Sequence, residues 1–213
     1  MNQLIPGRAA LLVIDMQHDF LDESAGCFAP GSAEIVSRIA RLIDAARAAG
    51  VPVIFTQEAH RPGGVDAGRE ADPGAGAGYP GGGPDSPVPP HCIEGTPGID
   101  IVDELAPRAD DLRIKKRRYS CFLGTDLDLL LRNLGIETLL VTGVDSNVCV
   151  LWTVGEAFQR DYHVRVVEDC VAGSNPEEHE AALLIMRTLV SGGDPVTSDD
   201  VIAALQREPA DVT

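Results

Sequence analysis

Basic residues are scarce in this chain: 17 lysines and arginines stand against 33 aspartates and glutamates, a formal charge of −16 over 213 residues. Such a surface repels phosphate backbones and anionic lipid headgroups, so neither nucleic-acid nor membrane partners are expected. No stretch approaches the roughly 20 consecutive apolar residues that a membrane span requires, and the opening MNQLIPGRAA lacks the basic-then-apolar layout of a secretory leader. A cytoplasmic location is expected. CxxC pairs are missing too. The five cysteines, Cys27, Cys92, Cys121, Cys149 and Cys170, are odd in number and widely spread, which argues against a disulfide framework and against a thiolate zinc site. There is no internal repeat and no heptad pattern, and the length suits one α/β domain over residues 1–213.

What is present alternates between two periods. Short apolar runs at Ala9 to Ile14, Val51 to Thr56, Leu112 to Ile114, Thr138 to Val144 and His163 to Val167 read as buried strands, with Pro195 to Thr197 as a sixth. Between them lie amphipathic stretches. Ser32 to Ala49 places Ile35, Ile39, Leu42, Ile43 and Ala46 on one helical face and stops at Gly50. Thr125 caps a helix that ends at Gly135, a third helix covers about Asn147 to Arg160, and Asn175-Pro176-Glu177-Glu178 opens a fourth with a cap residue, a first-turn proline and early acids. Strands alternating with helices imply right-handed crossovers. The expected fold is a doubly wound, mainly parallel six-stranded sheet with helices on both faces, a Rossmann-like three-layer sandwich, with ligands bound at strand carboxyl ends. Gln57 to Gly98 breaks the pattern, holding 11 of the 22 glycines and 8 of the 15 prolines, and reads as one long loop.

Three strand ends carry reactive side chains: Asp15 after the first, Lys115 and Lys116 after the third, Cys149 after the fourth. Cys149 follows an apolar strand and opens a helical pattern, a position where unpaired amides and the helix dipole favour a thiolate. A buried, inert cysteine would give the same pattern. An aspartate in an apolar site could take the thiol proton, and a lysine between the two would favour the thiolate and orient the aspartate. From spacing alone, Asp15 could equally be a turn residue and Lys115 to Arg118 a solvated basic run.

Leu12-Val13-Ile14-Asp15-Met16-Gln17 with Asp19-Phe20, Lys116-Arg117-Arg118-Tyr119-Ser120 with Gly124-Thr125-Asp126-Leu127, and Gly143-Val144 through Asn147, Cys149-Val150 and Thr153 occur in that order. On these motifs the chain resembles the isochorismatase-like cysteine hydrolases, a superfamily that includes nicotinamidases, N-carbamoyl amidases and ureidoacrylate amidohydrolases. The resemblance implies Asp15, Lys116 (or Lys115 in the next register) and Cys149 as catalytic residues, the backbone amides of Asp145 and Cys149 as an oxyanion hole, and a cis Val144–Asp145 peptide. It implies an amidohydrolase acting on a small-molecule amide, carbamoyl or ureido substrate through a thioester, assembled as a homodimer or homotetramer. Members that cleave the vinyl ether of isochorismate typically lack the cysteine. Hydrolysis of a non-amide bond, or a non-catalytic role with Cys149 as a sensor thiol, are the alternatives.

Asp145 departs from the family pattern, in which a small residue is usual; its carboxylate would point away or recognise a donor-rich substrate. Phe20, Tyr119 and Trp152 are candidates for the substrate cavity, Trp152 lying one helical turn beyond Cys149. No cofactor is needed for the covalent route. Glu58, His60 and His91 partly match the aspartate and histidines with which nicotinamidases hold a divalent metal, so zinc, manganese or iron is a further candidate. Glutamate replaces aspartate, and a further histidine is missing, leaving Asp66 or Glu70 in its place. The alternative is that His60 and His91 anchor the long loop, or meet substrate together with Arg61 or Arg69.

Overall fold

The computed structural model describes residues 4, 5, 7–68, 90–190 and 196–207. Most of the glycine- and proline-rich segment, including Arg69 and Glu70, lies outside the described residues, as do Pro195 and the tail from 208. Five strands form the sheet: β1 (Ala9–Ile14), β2 (Val53–Glu58), β3 (Leu112–Lys116), β4 (Thr138–Gly143) and β5 (His163–Val171), in the order β3-β2-β1-β4-β5 and parallel throughout. Chain order reverses between β1 and β4, the crevice at which doubly wound sheets bind ligands.

All six β1 residues are buried because both faces of the strand are covered. Leu11 and Val13 pack towards α2 (Ser32–Ala48) and α6 (Ser198–Leu205), whereas Ala10, Leu12 and Ile14 face α3 (Leu127–Asn133), α4 (Leu151–Gln159) and α5 (Pro176–Met186). Each fully buried leucine or isoleucine contributes about 1.5–3 kcal/mol of transfer free energy. A short helix, α1 (His18–Leu21), follows β1 and buries Phe20. β1 and β4 approach closely at Gly143, where φ is +109° and a Cβ would collide with the Ile14 carbonyl, so only glycine serves.

The expected sixth strand is a single parallel bridge, Val167 to Val196, and Thr197 caps α6 instead, in a reciprocal capping box with Asp200. β3 runs two residues further than its apolar stretch, since ladder pairing with β2 carries Lys116 to a place opposite Glu58. β5 continues to Val171 past a register shift. The helix expected from Asn147 divides into a π-helical turn, Ser146–Val150, and α4. Asn175 caps α5 through the Glu178 amide, as the sequence suggests, whereas the N-cap of α3 is Asp126 rather than the expected Thr125, whose hydroxyl accepts the Leu127 amide from one residue outside the helix end. Asp169 receives the Ser198 amide and hydroxyl and so ties β5 to α6. Among the described residues no helix is long and apolar enough to cross a membrane.

Candidate active site

The parallel register brings the carboxyl ends of β1, β3 and β4 to one edge of the sheet, and there Asp15, Lys116 and Cys149 meet. The Lys116 Nζ lies 2.7 Å from Asp15 Oδ2 and 3.3 Å from Cys149 Sγ. Asp15 and Lys116 have no exposed surface and Cys149 keeps 3%. Asp15 adopts φ +51°, which turns its side chain out of the ladder. Thr56 on β2 secures it: the Asp15 amide donates to Thr56 Oγ1 at 3.2 Å, and the hydroxyl donates to Asp15 Oδ1 at 2.7 Å. Lys115, the neighbouring register, points to the opposite face, where its exposed ammonium pairs with Glu94 at 3.6 Å.

A second carboxylate joins them. Glu58 Oε2 is 3.9 Å from Lys116 Nζ, and Gln17 fixes the Glu58 backbone by accepting its amide and donating to its carbonyl. Burial tends to lower the lysine, but the Asp15 and Glu58 carboxylates outweigh it and hold the ammonium charged. Burial tends to raise Glu58, yet Lys116, His60 and His91 hold its carboxyl at about 2. Asp15 is raised, by burial first and by Glu58, against the pull of Lys116 and Thr56. Burial pushes the Cys149 thiol well above its ordinary value, and Lys116 does not offset it because Asp15 and Glu58 push the same way. This corrects the expected resting thiolate: one ammonium already serves two carboxylates, and a third anion would stand uncompensated. The rate of iodoacetamide modification of Cys149 should therefore climb by about tenfold per pH unit through pH 9, as the thiolate fraction grows. A plateau below pH 7 would contradict a protonated resting thiol.

Cys149 lies in the π-helical turn Ser146–Val150, whose first carbonyl, that of Asp145, accepts the Val148 and Val150 amides at 3.0 Å each. The Val144–Asp145 peptide is cis, as the family resemblance implies. Asp145 is buried, and its Oδ2 accepts the Ser174 hydroxyl at 3.0 Å, so the side chain leans towards the β5–α5 connection.

Glu58, His60 and His91 are all buried, with one ligand atom from each lying within 4.8 Å of the others. His60 Nε2 is 3.5 Å from Glu58 Oε1, and His91 Nε2 is 3.8 Å from Glu58 Oε2. Spacings of this size suit one carboxylate and two imidazoles sharing a small divalent cation. Asp66 approaches the other face of His60, its Oδ1 3.6 Å from Nδ1, and Arg61 and Arg117 hold that carboxylate.

The three aromatic candidates do not converge. Phe20 is buried edge-on to the His91 ring, centroids 5.9 Å apart, in the cluster on the α2 side of the sheet. Tyr119 and Trp152 line an open cavity of about 940 Å³ with Arg118, Gln159 and Arg160, and Trp152 is 61% exposed. That cavity is lined by none of Asp15, Lys116 and Cys149. Thr56 and Gln17 are the residues sequence reading passes over. Thr56 ends an apolar strand, where a hydroxyl alone signals a polar partner on the next strand. Gln17 stands within the first motif, but only the register of β2 shows what it grips.

The family model described as the isochorismatase domain matches residues 9–200. A ureidoacrylate amidohydrolase from Methylobacterium radiotolerans is 32% identical over 97% of this chain and 84% of its own length. A probable inactive nicotinamidase from Arabidopsis thaliana is 35% identical over 84% of this chain and 88% of its own. Among solved structures, an isochorismatase-like hydrolase from Alkaliphilus metalliredigens superposes with a TM-score of 0.80 at 32% identity, covering 93% of this chain and 100% of that one. A pyrazinamidase of Pyrococcus horikoshii, solved in complex with zinc, superposes at 0.72 with 28% identity, over 85% of this chain and 95% of that one.

Proposed function

Since the chain belongs to the isochorismatase family, we propose that it is a cysteine amidohydrolase, cleaving a C–N bond of a small amide, carbamoyl or ureido substrate through a thioester on Cys149. The observation that carries this reading is the Lys116 ammonium seated between the Asp15 carboxylate and the Cys149 sulfur. In the reaction, Asp15 takes the thiol proton as sulfur attacks the carbonyl carbon, and the carbonyl pair moves to oxygen. The oxyanion is met by the backbone amides of Asp145 and Cys149. Lys116 keeps Asp15 in place and balances whichever of the two neighbours is anionic. Collapse of the adduct expels the amine, which leaves with the proton from Asp15. Water, deprotonated by Asp15, then cleaves the thioester and releases an acid or carbamate, and the departing sulfur takes that proton back from Asp15 to restore the thiol. The raised affinity of Asp15 for a proton suits it to both transfers. Phe20, edge-on to His91, remains a proposed substrate contact, whereas Tyr119 and Trp152 line a cavity apart from Cys149, and a homodimer or homotetramer would cover part of the exposed Trp152.

Glu58, His60 and His91 would hold a divalent cation, zinc, manganese or iron, as the three side chains have the donor types and spacing for one. Bound there, the ion would supply Lewis-acid polarisation to a substrate group. Elemental analysis of the purified protein should find about one equivalent of such a metal, and His60→Ala or His91→Ala should remove it. Full occupancy in both variants would mean these residues are not the ligands.

A panel of nicotinamide, N-carbamoyl amino acids, ureidoacrylate-like compounds and biuret, assayed for ammonia with and without iodoacetamide, tests the reading. Ammonia release from at least one compound, abolished by alkylation, is expected. Pyruvate release from isochorismate that survives alkylation would replace it with ether hydrolysis, and silence across the panel would favour the non-catalytic role.

A further inference from the structure

Asp145, Ser146 and Asn147 lead into the nucleophile, and each is fastened to the connection between β5 and α5. The Ser146 amide donates to the Ala172 carbonyl at 2.8 Å and its hydroxyl meets His179 Nδ1 at 2.8 Å. Asn147 donates from Nδ2 to Glu178 at 2.7 Å and accepts the Ser174 amide at Oδ1 at 3.0 Å. The Ser174 hydroxyl lies 3.0 Å from Asp145 Oδ2 and 3.3 Å from Asn147 Oδ1; it has one proton, and the nearer, charged acceptor wins it. Gly173 permits this closeness, since a Cβ there would strike the Ser146 hydroxyl. A buried carboxylate next to a developing oxyanion opposes it by charge, so its place at residue 145 calls for an offsetting role.

We propose that Asp145 is a positioning residue: gripping Ser174, its carboxylate fixes the peptide whose N–H faces the oxyanion, and the β5–α5 connection thereby sets the geometry of the oxyanion hole. The proposal rests on the amidohydrolase reading for its role in turnover, but a reversible adduct tests it without a substrate. Acetaldehyde and benzaldehyde add to a thiol: the S–C bond forms, the carbonyl pair moves to oxygen, and the thiol proton ends there. Iodoacetamide alkylates the same sulfur with no oxyanion. The dissociation constants of the aldehyde adducts should rise about tenfold or more in Asp145→Ala and Ser174→Ala, with iodoacetamide rates within about twofold of the parent. Asp145→Asn keeps an acceptor for Ser174 and removes the charge, so its constants should stay within about threefold. The double variant Asp145→Ala/Ser174→Ala should be no weaker than the weaker single one. Once a substrate is in hand, the same variants should lose kcat and keep KM. Aldehyde constants unchanged in both alanine variants, losses that multiply in the double variant, alkylation falling in parallel with adduct strength, or no reversible adduct on the parent protein would each overturn the proposal. If the parent forms the adduct and the variants weaken it, while no amide in the panel is hydrolysed, the amidohydrolase reading fails and the clamp stands.

Discussion

Exchanging Cys149 for alanine should cut turnover of any accepted amide by about 10⁴-fold or more while leaving the fold nearly as stable as before. The loss is expected to be large because Lys116 is held as a charged ammonium, and the Cys121 thiol, the other one beside Asp15 and Lys116, is pushed up to about 12 by burial. Stability should change little because sulfur is a small part of a well-packed cluster and the 2.7 Å contact between Lys116 and Asp15 does not involve it. Cys149→Ser should fare almost as badly, since a hydroxyl gives up its proton far less readily than a thiol and the same carboxylates oppose the anion. Steady-state ammonia release beside a urea titration separates the two effects. Alanine at this position with activity within tenfold of the parent would end the covalent route.

Replacing Lys116 with methionine should cost stability as well as function. Methionine fills a similar volume, so the change isolates the charge. Taking one partner from a buried ion pair costs about 3–5 kcal/mol, because the other charge stays behind without water. Here two carboxylates stay behind, Asp15 at 2.7 Å and Glu58 at 3.9 Å. With the ammonium gone, Asp15, already raised beside it, loses its main counter-charge and folds with a proton affinity further above its unfolded value, so the penalty applies at pH above the unfolded carboxylate range and is relieved as pH falls and the carboxylate protonates in place. The urea midpoint of Lys116→Met should therefore fall furthest below that of the parent at pH 7, and the gap should narrow by pH 5. A gap that widens on acidification would show that Lys116 is not the counter-charge for this pair.

Asp15, Lys116 and Cys149 could be nominated from the sequence because each follows an apolar run and a parallel sheet sends all such ends the same way, but spacing left each with a plainer reading and the family motifs singled them out. The five paired strands and the helices on both faces were legible for the same reason. Glu58 was read only as a candidate metal ligand; its hold on Lys116 depends on β2–β3 register, which no pattern along the chain encodes. The ionisation of Cys149 was misread, because helix-start arguments count amides and dipoles and cannot count the carboxylates that folding gathers around the sulfur. Thr197 was taken as the end of a strand although Thr197-Ser198-Asp199-Asp200 spells a capping box, a signal hidden by the neighbouring proline and valine. Trp152 shows the limit of helical spacing: one turn from Cys149 fixes its height along α4 but not the side to which it points.

The placement of β1 between β2 and β4 has a bearing on how the chain comes off the ribosome. Its first partner emerges soon after it, but Ile14 waits for Gly143 before the other edge is closed. Until then a six-residue apolar strand offers an open ladder to any passing polypeptide, the situation in which chaperones are needed. The nascent chain can by then gather Asp15, Glu58 and Lys116 from β1, β2 and β3, while Cys149 joins them only once β4 has paired with β1.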